Sequence, residues 1–303
     1  MAEHYARLAV GTVQWGMPYG VANRSGVPSD AELKLLIEAA LQLGVDTLDT
    51  ARAYGRSEER IGDVLRATGH VDSFRVVTKT SPDLLGVSGD RSAAVERLRE
   101  SFAVSRAYLQ PVKIHTLLLH RGAHRTALEG VLWAELKLLR ERGDVARIGI
   151  SATTPAEATA ALESREIDVI QCAGSLLDQR LARTGFFEHA SELGVEIHLR
   201  SVYLQGVAFL PTHRLPRHLT PCRETLHRID RFATARGVHP AEVWLDYARS
   251  LPVTRIVIGA ETAAQLRRNA ERRTSPPLEG VHQLASDLSI LPDAVLDPSR
   301  WPA

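Results

Sequence analysis

The stretch ARIGISATTPAEATAALESREIDVIQC, residues 146–172, decides the fold. Its first six residues form a short apolar run centred on Ile148 and Ile150, suited to a buried strand. The segment TPAEATAALES then carries apolar residues at helical spacing behind a Thr–Pro start, a common helix opening. DVIQC returns to a short apolar run. A strand, a helix and a second strand within so few residues form a crossover unit, which sets two strands parallel.

The same alternation extends in both directions. Strand-like runs occur at 7–11, 45–49, 74–79, 114–120, 146–151, 168–172, 195–200 and 254–259. Helical patterns lie between them: 29–44, capped by Ser29 and Asp30 and ending at Gly44, then 91–109, 127–143, 154–164, 223–237 and 240–251. No Gly/Ser- or Pro-rich linker interrupts the series. This favours a single parallel α/β domain over residues 1–303, and eight strands favour a closed (β/α)8 TIM barrel over an open sheet. The tail from Thr274, with prolines at 276, 277, 292, 298 and 302, reads as one short C-terminal helix followed by a segment wrapping the surface. The connection 203–222 is long enough to read as a functional loop.

Composition narrows the class. The 303 residues are 44% apolar, and the net charge is +1 with both signs interspersed. That argues against nucleic-acid or membrane-surface partners, which call for a clustered basic face. Two cysteines, Cys172 and Cys222, suit a reducing cytosol rather than a disulfide framework. The opening MAEHYARLAV carries no leader pattern, and no apolar run is long enough to span a membrane. The twelve histidines show no dense metal-ligand spacing, so no metal is expected.

In a barrel of this kind chemistry gathers at the C-terminal strand ends. Read in order, those ends carry Gln14 and Trp15, Asp49 with Tyr54 in the loop behind it, Lys79, His120, Ser151, Gln171, Arg200 with Ser201, and Gly259. Only four of the 37 basic residues are lysines, so Lys79 at an apolar strand's end stands out. A buried ammonium beside a phenol favours the phenolate, an Asp can hold that ammonium, and a nearby His can donate to a substrate oxygen. Taken singly, Asp49 reads as well as a cap, Tyr54 as a packing residue and His120 as a rim histidine. Their joint placement describes a proton donor for a developing alkoxide. The hydride for a carbonyl reduction would have to come from a cofactor.

The chain resembles the aldo-keto reductase superfamily along most of its length. The matching segments are GTVQWG (11–16), LDTARAYGRSEERIG (48–62), VVTK (76–79), LLLH (117–120), GIS (149–151), IQ (170–171), RSVYLQG (200–206) and VIGAETAAQLRRN (257–269). The resemblance implies a catalytic tetrad of Asp49, Tyr54, Lys79 and His120, with Tyr54 as general acid. It also implies an NAD(P)H cofactor extended across the barrel mouth without a Rossmann motif, and a small-molecule carbonyl substrate. Cofactor contacts are then expected from Ser151, Gln171, Arg200, Ser201, Gly259, Ala260, Gln265, Arg268 and Asn269, with Trp15 either lining the substrate pocket or packing the rim.

The chain departs from the family pattern in several places. Ala152 follows Ser151 where many members have Asn. Arg200 stands where an aromatic residue often stacks on the nicotinamide, and Gly259 and Gln265 replace a Lys and an Arg of some members. N–H groups at the start of the helix after the eighth strand, with Arg267 or Arg268 beyond, favour NADP(H) over NAD(H), while Glu261 opposes a phosphate there. A cofactor-binding sensor with little turnover is the rival reading, against which the intact tetrad argues.

Overall fold

A computed structural model describes residues 6–86 and 89–302. Residues 1–5, part of the segment read for a leader, lie outside the described residues. All eight runs become strands: β1 Arg7–Gly11, β2 Thr47–Asp49, β3 Arg75–Lys79, β4 Ile114–Leu119, β5 Arg147–Ser151, β6 Val169–Ala173, β7 Glu196–Arg200 and β8 Arg255–Gly259. They pair in parallel in chain order, and β8 closes on β1. Buried on both faces, such strands need near-continuous apolar sequence. Val10, Leu48, Val76, Leu117, Ile148, Ile170, Leu199 and Ile256 supply it, and all are buried.

The register sets the strand ends level. Gly11 pairs with both Asp49 and Gly259, Ser151 with Gln171, and Ala173 with Arg200. The polar residues that end each apolar run therefore reach one rim rather than being scattered along the barrel.

The surrounding helices start where their caps dictate. Ser29 accepts from the Glu32 N–H ahead of Asp30–Gln42, and Thr154 accepts from the Glu157 N–H with Pro155 in the first turn of Pro155–Glu163. Helix Asp30–Gln42 turns Leu33, Leu36, Ile37 and Ala40 onto the barrel at the spacing of one helical face.

Three local features differ from the sequence reading. The helix anticipated from residue 127 begins at Val131, because Leu128, Glu129 and Gly130 all adopt left-handed backbone. A short helix, Phe186–Glu192, joins β6 to β7 and buries both phenylalanines. The tail holds two helical pieces rather than one, Val281–Asp287 and Asp293–Leu296, and then a 3-10 turn Pro298–Arg300. It is tied down by Gln179 donating to the Ala285 carbonyl and by an Arg180–Asp293 ion pair. The long connection after β7 forms three 3-10 turns, Leu204–Phe209, Thr212–Arg214 and Arg217–Cys222. Among the described residues no helix is long and apolar enough to cross a membrane.

Candidate active site

A cavity of about 1070 Å³ opens at the C-terminal end of the barrel. Asp49, Tyr54 and His120 line its floor, with Ser151 and Arg200 beside them. Below, Lys79 is almost wholly enclosed. Its Nζ donates to Asp49 Oδ1 at 2.9 Å, to Asp49 Oδ2 at 2.8 Å and to the Thr50 carbonyl at 2.8 Å. Three acceptors for three N–H bonds satisfy the ammonium. Burial alone would lower its pKa, but Asp49 and Tyr54 outweigh burial and hold it above the ordinary lysine value. The Lys79 Nζ lies 4.9 Å from the centre of the Tyr54 ring, and that ring meets His120 edge-on at 6.2 Å.

His120 is half-buried, and among the described residues its Nδ1 has no hydrogen-bond partner. Burial first, then the charges of Lys79 and Arg200, push its pKa down to about 4. The ring is thus neutral near pH 7 and carries one N–H to donate.

The loop bearing Tyr54 is held by a web of hydroxyls. Thr12 Oγ1 lies 2.7 Å from Ser57 Oγ and donates to the Asp49 carbonyl, and Thr50 donates to Ser57 Oγ at 3.0 Å. Beside it Glu58, almost wholly buried, accepts from Thr78 at 2.6 Å and pairs with Arg52. Gly16 packs so closely that a Cβ there would lie 1.8 Å from the Tyr54 carbonyl oxygen. Only glycine permits that approach.

Gln171 is fully buried and does not reach the cavity lining. Its Nε2 donates to Asp49 Oδ1 at 2.7 Å, while its Oε1 is buried and has no partner among the described residues. The side chain expected to meet a cofactor instead braces the Asp49 carboxylate. Gln171 is thus set behind the cavity wall, whereas Ser151, next to it across the β5–β6 pairing, lines the cavity. The Ser151 hydroxyl fits the carboxamide of a nicotinamide, and Gln171 does not reach it.

The other expected contacts divide. Arg200 lines the cavity, donating to the Ala152 carbonyl at 2.9 Å and to Ser201 Oγ at 3.2 Å; Ser201 itself has φ 60°. Gly259, Gln265, Arg268 and Asn269 also line it. Asn269 Oδ1 is taken by the Tyr203 hydroxyl at 2.7 Å. Ala260 is buried, and its carbonyl accepts from the Trp15 indole. The helix start after β8 is less open than its sequence suggests. The Glu261 N–H goes to Gln265 Oε1, the Ala263 N–H to Glu32 Oε1 and the Gln265 N–H to Thr262 Oγ1. Burial pushes the Glu261 carboxyl pKa up. Arg267 turns away to Gln42, whereas Arg268 is exposed at the cavity edge.

Trp15 does not line the pocket. It is buried under the rim, and Gln14 takes the lining position. The short turn Val13–Gly16 rotates neighbouring side chains to different faces, which strand-end counting does not capture. Tyr19, Asn23 and Gln205 line the cavity too and were missed. Their signal was the glycine-rich loop after β1 facing the loop after β7, where the Val21 N–H donates to the Gln205 carbonyl at 2.9 Å. His213 and His218 stay out of the lining. Among the described residues no group of His, Cys, Asp and Glu could hold a metal ion.

Comparison with known proteins agrees with the barrel fold. Residues 7–278 match the model of the Aldo/keto reductase family. Aldo-keto reductase str7 of Strobilurus tenacellus is 32% identical over 181 residues, 59% of this chain and 51% of that protein, so the match spans about half the length of that relative. D-threo-aldose 1-dehydrogenase of a Pseudomonas species is 28% identical, with 88% of this chain and 91% of that protein covered. The holo form of aldo-keto reductase AKR11C1 from Bacillus halodurans shares the fold, with a TM-score of 0.73 and 22% identity over 98% of this chain and 96% of that one. The family comprises oxidoreductases that act on small-molecule carbonyl substrates, and this chain belongs to it.

Proposed function

We propose that the protein reduces an aldehyde or ketone to the alcohol, with NADP(H) preferred over NAD(H) and Tyr54 as the proton donor. The observation that carries this reading is the buried Asp49–Lys79 pair set beneath Tyr54, with neutral His120 at the ring's edge. A reduced nicotinamide cofactor, when bound, would supply the hydride to the carbonyl carbon. Ser151, which lines the cavity, would hold its carboxamide.

The residues of the chain do the rest. As the carbonyl carbon gains its new C–H bond, the oxygen becomes an alkoxide. Tyr54 passes its hydroxyl proton to that oxygen. The Lys79 ammonium stabilises the phenolate left behind, and Asp49 keeps the ammonium in place. His120 donates its N–H to the same oxygen and orients it. In the reverse direction the phenolate takes the proton from an alcohol. Arg268, exposed at the cavity edge, supplies positive charge for a 2′-phosphate, and this supports the NADP(H) preference.

For the substrate we favour a hydroxylated, sugar-like carbonyl compound. The polar lining from Gln14, Tyr19, Asn23 and Gln205 supports this, as does the name of the Pseudomonas relative, an aldose dehydrogenase. We assign the protein to the cytoplasm, since Cys172 and Cys222 are both free and buried.

The decisive test is Tyr54→Phe. Turnover should fall on the order of 10²–10⁴-fold, while NADPH binding, followed by fluorescence, stays near wild type. Single-turnover hydride transfer at the wild-type rate would remove Tyr54 from the mechanism and favour a sensor.

A further inference from the structure

The cavity reaches beyond the catalytic floor into a space between the loop after β7, the helix Pro240–Ser250 and the helix Ala263–Thr274. Part of the wall there is apolar and aromatic. Tyr203, Phe209, Ala241 and Leu245 line it, and the rings of Tyr203 and Phe209 meet edge-on with centres 4.9 Å apart. Asn269, half-buried on the second helix, brings an amide into this wall.

That amide is committed on one side only. Its Oδ1 accepts from the Tyr203 hydroxyl at 2.7 Å, and among the described residues no acceptor takes its Nδ2. Tyr203 is buried, and burial first, then the charge of Glu242, holds its phenol above the ordinary value, so the hydroxyl keeps its proton. The turn that carries Tyr203 is tightly specified. Ser201, Leu204 and Gln205 adopt left-handed backbone with φ of 60°, 44° and 54°, and the Leu204 N–H donates to the Ser201 carbonyl at 2.8 Å. Non-glycine residues persist there only where their surroundings hold them. An amide is planar, with its oxygen and its NH2 on opposite sides. With the oxygen fixed on the phenol, the NH2 is the group that Asn269 can offer to a ligand.

Resting on the reading of the cavity as a site for a nicotinamide dinucleotide, we infer that Tyr203 is a positioning residue for the purine end of the cofactor: it holds the Asn269 amide so that the NH2 donates to a ring nitrogen of the base. A dinucleotide with its nicotinamide at Ser151 carries its purine away from the catalytic floor, and Phe209, Ala241 and Leu245 give a planar base an apolar wall. The ring nitrogens of a purine that face outward from its six-membered edge and its N7 are acceptors, so an NH2 suits them, whereas an amide oxygen would meet them lone pair to lone pair. The Tyr203 hydroxyl is spent on Asn269 and acts through that residue.

The experiment measures binding of NADPH by fluorescence and of ADP-ribose, which keeps the purine and lacks the nicotinamide, by calorimetry. Tyr203→Phe retains the ring against Phe209 and removes only the hydroxyl. The amide is then free to turn over, and Kd for both ligands should rise by about 3–10-fold, the range for one neutral hydrogen bond. Single-turnover hydride transfer at saturating NADPH should stay within about twofold, so that the loss falls on KM for the cofactor and not on kcat. Asn269→Ala should raise both Kd values by at least as much. The double variant should bind no more weakly than Asn269→Ala alone, because the hydroxyl acts only through that amide.

Unchanged ADP-ribose binding in Tyr203→Phe, or losses that multiply in the double variant, would overturn the inference. Slowed hydride transfer at saturating NADPH would overturn it as well, since the hydroxyl would then support the loop after β7 as a whole. If the wild type binds ADP-ribose but reduces no carbonyl compound, the carbonyl reductase reading fails separately, and the ADP-ribose comparison still decides the role of Tyr203. A wild type that binds neither ADP-ribose nor NADPH would overturn both.

Discussion

Replacing Asp49 by Asn tests the electrostatic centre of the site. The side chains of the Lys79–Asp49 pair are only 1% and 5% exposed, and both carboxylate oxygens contact Nζ. An asparagine amide presents one oxygen and one NH2 to those same partners, Lys79 and Gln171, both of which are donors. One donor must then face another, and the ammonium stays buried without its counter-charge. Breaking a buried pair in this way costs about 3–5 kcal/mol. With unfolding entropy near 2.1 cal/mol/K per residue, a chain of 303 residues should lose about 5–8 °C in Tm at pH 7.

The pH dependence gives a sharper test. In the wild type Lys79 has a folded pKa above its unfolded value of 10.5, so its stabilisation is complete below 10.5 and is lost as pH rises through the folded value. In Asp49→Asn burial acts with little opposition, and the folded pKa falls below 10.5. The lysine can then shed its proton in the folded state as pH rises, and the variant gains stability relative to the wild type. Circular-dichroism melts of both proteins at pH 7 and pH 10 should show a gap that narrows at pH 10. An equal gap at both pH values, or a loss under about 2 °C at pH 7, would refute the assignment of charge to this pair.

His120, with a folded pKa of about 4 against an ordinary 6.5, should show no ring titration between pH 5.5 and 8 in histidine-resolved NMR spectra. Its contribution to stability is present above 6.5 and is lost as pH falls toward 4. Gly16→Ala should displace the Tyr54 loop and cut turnover well before it affects cofactor binding, since the new Cβ would meet the Tyr54 carbonyl and the Ser57 N–H; unchanged single-turnover rates would remove that constraint. Arg268→Ala should shift the kcat/KM ratio toward NADH, and Glu261→Ala should shift it toward NADPH. Steady-state kinetics with both cofactors measure this, and a wild type that prefers NADH by about tenfold would contradict the role of Arg268.

The barrel could be read before the structure because it rests on local sequence. Apolar runs of strand length alternate with capped helical patterns, as in 146–172, and parallel strands of such length close in chain order. A polar residue that ends an apolar run sits at the end of the barrel, so Asp49, Lys79 and His120 are expected at one rim, where Asp49 and Lys79 are buried as a pair. What the tertiary structure alone decided was the choice of partner. Gln171 bonds Asp49 across 122 positions, and Glu32 reaches the Ala263 N–H across 231. Trp15 turns under the rim to the Ala260 carbonyl, while its neighbour Gln14 enters the cavity. Among the described residues Arg200 has no carboxylate partner, where Arg180 has two. Spacing along the chain sets where a backbone places a residue on the barrel. Which donor meets which acceptor depends on segments that become neighbours only when the sheet closes, and no local pattern carries that information.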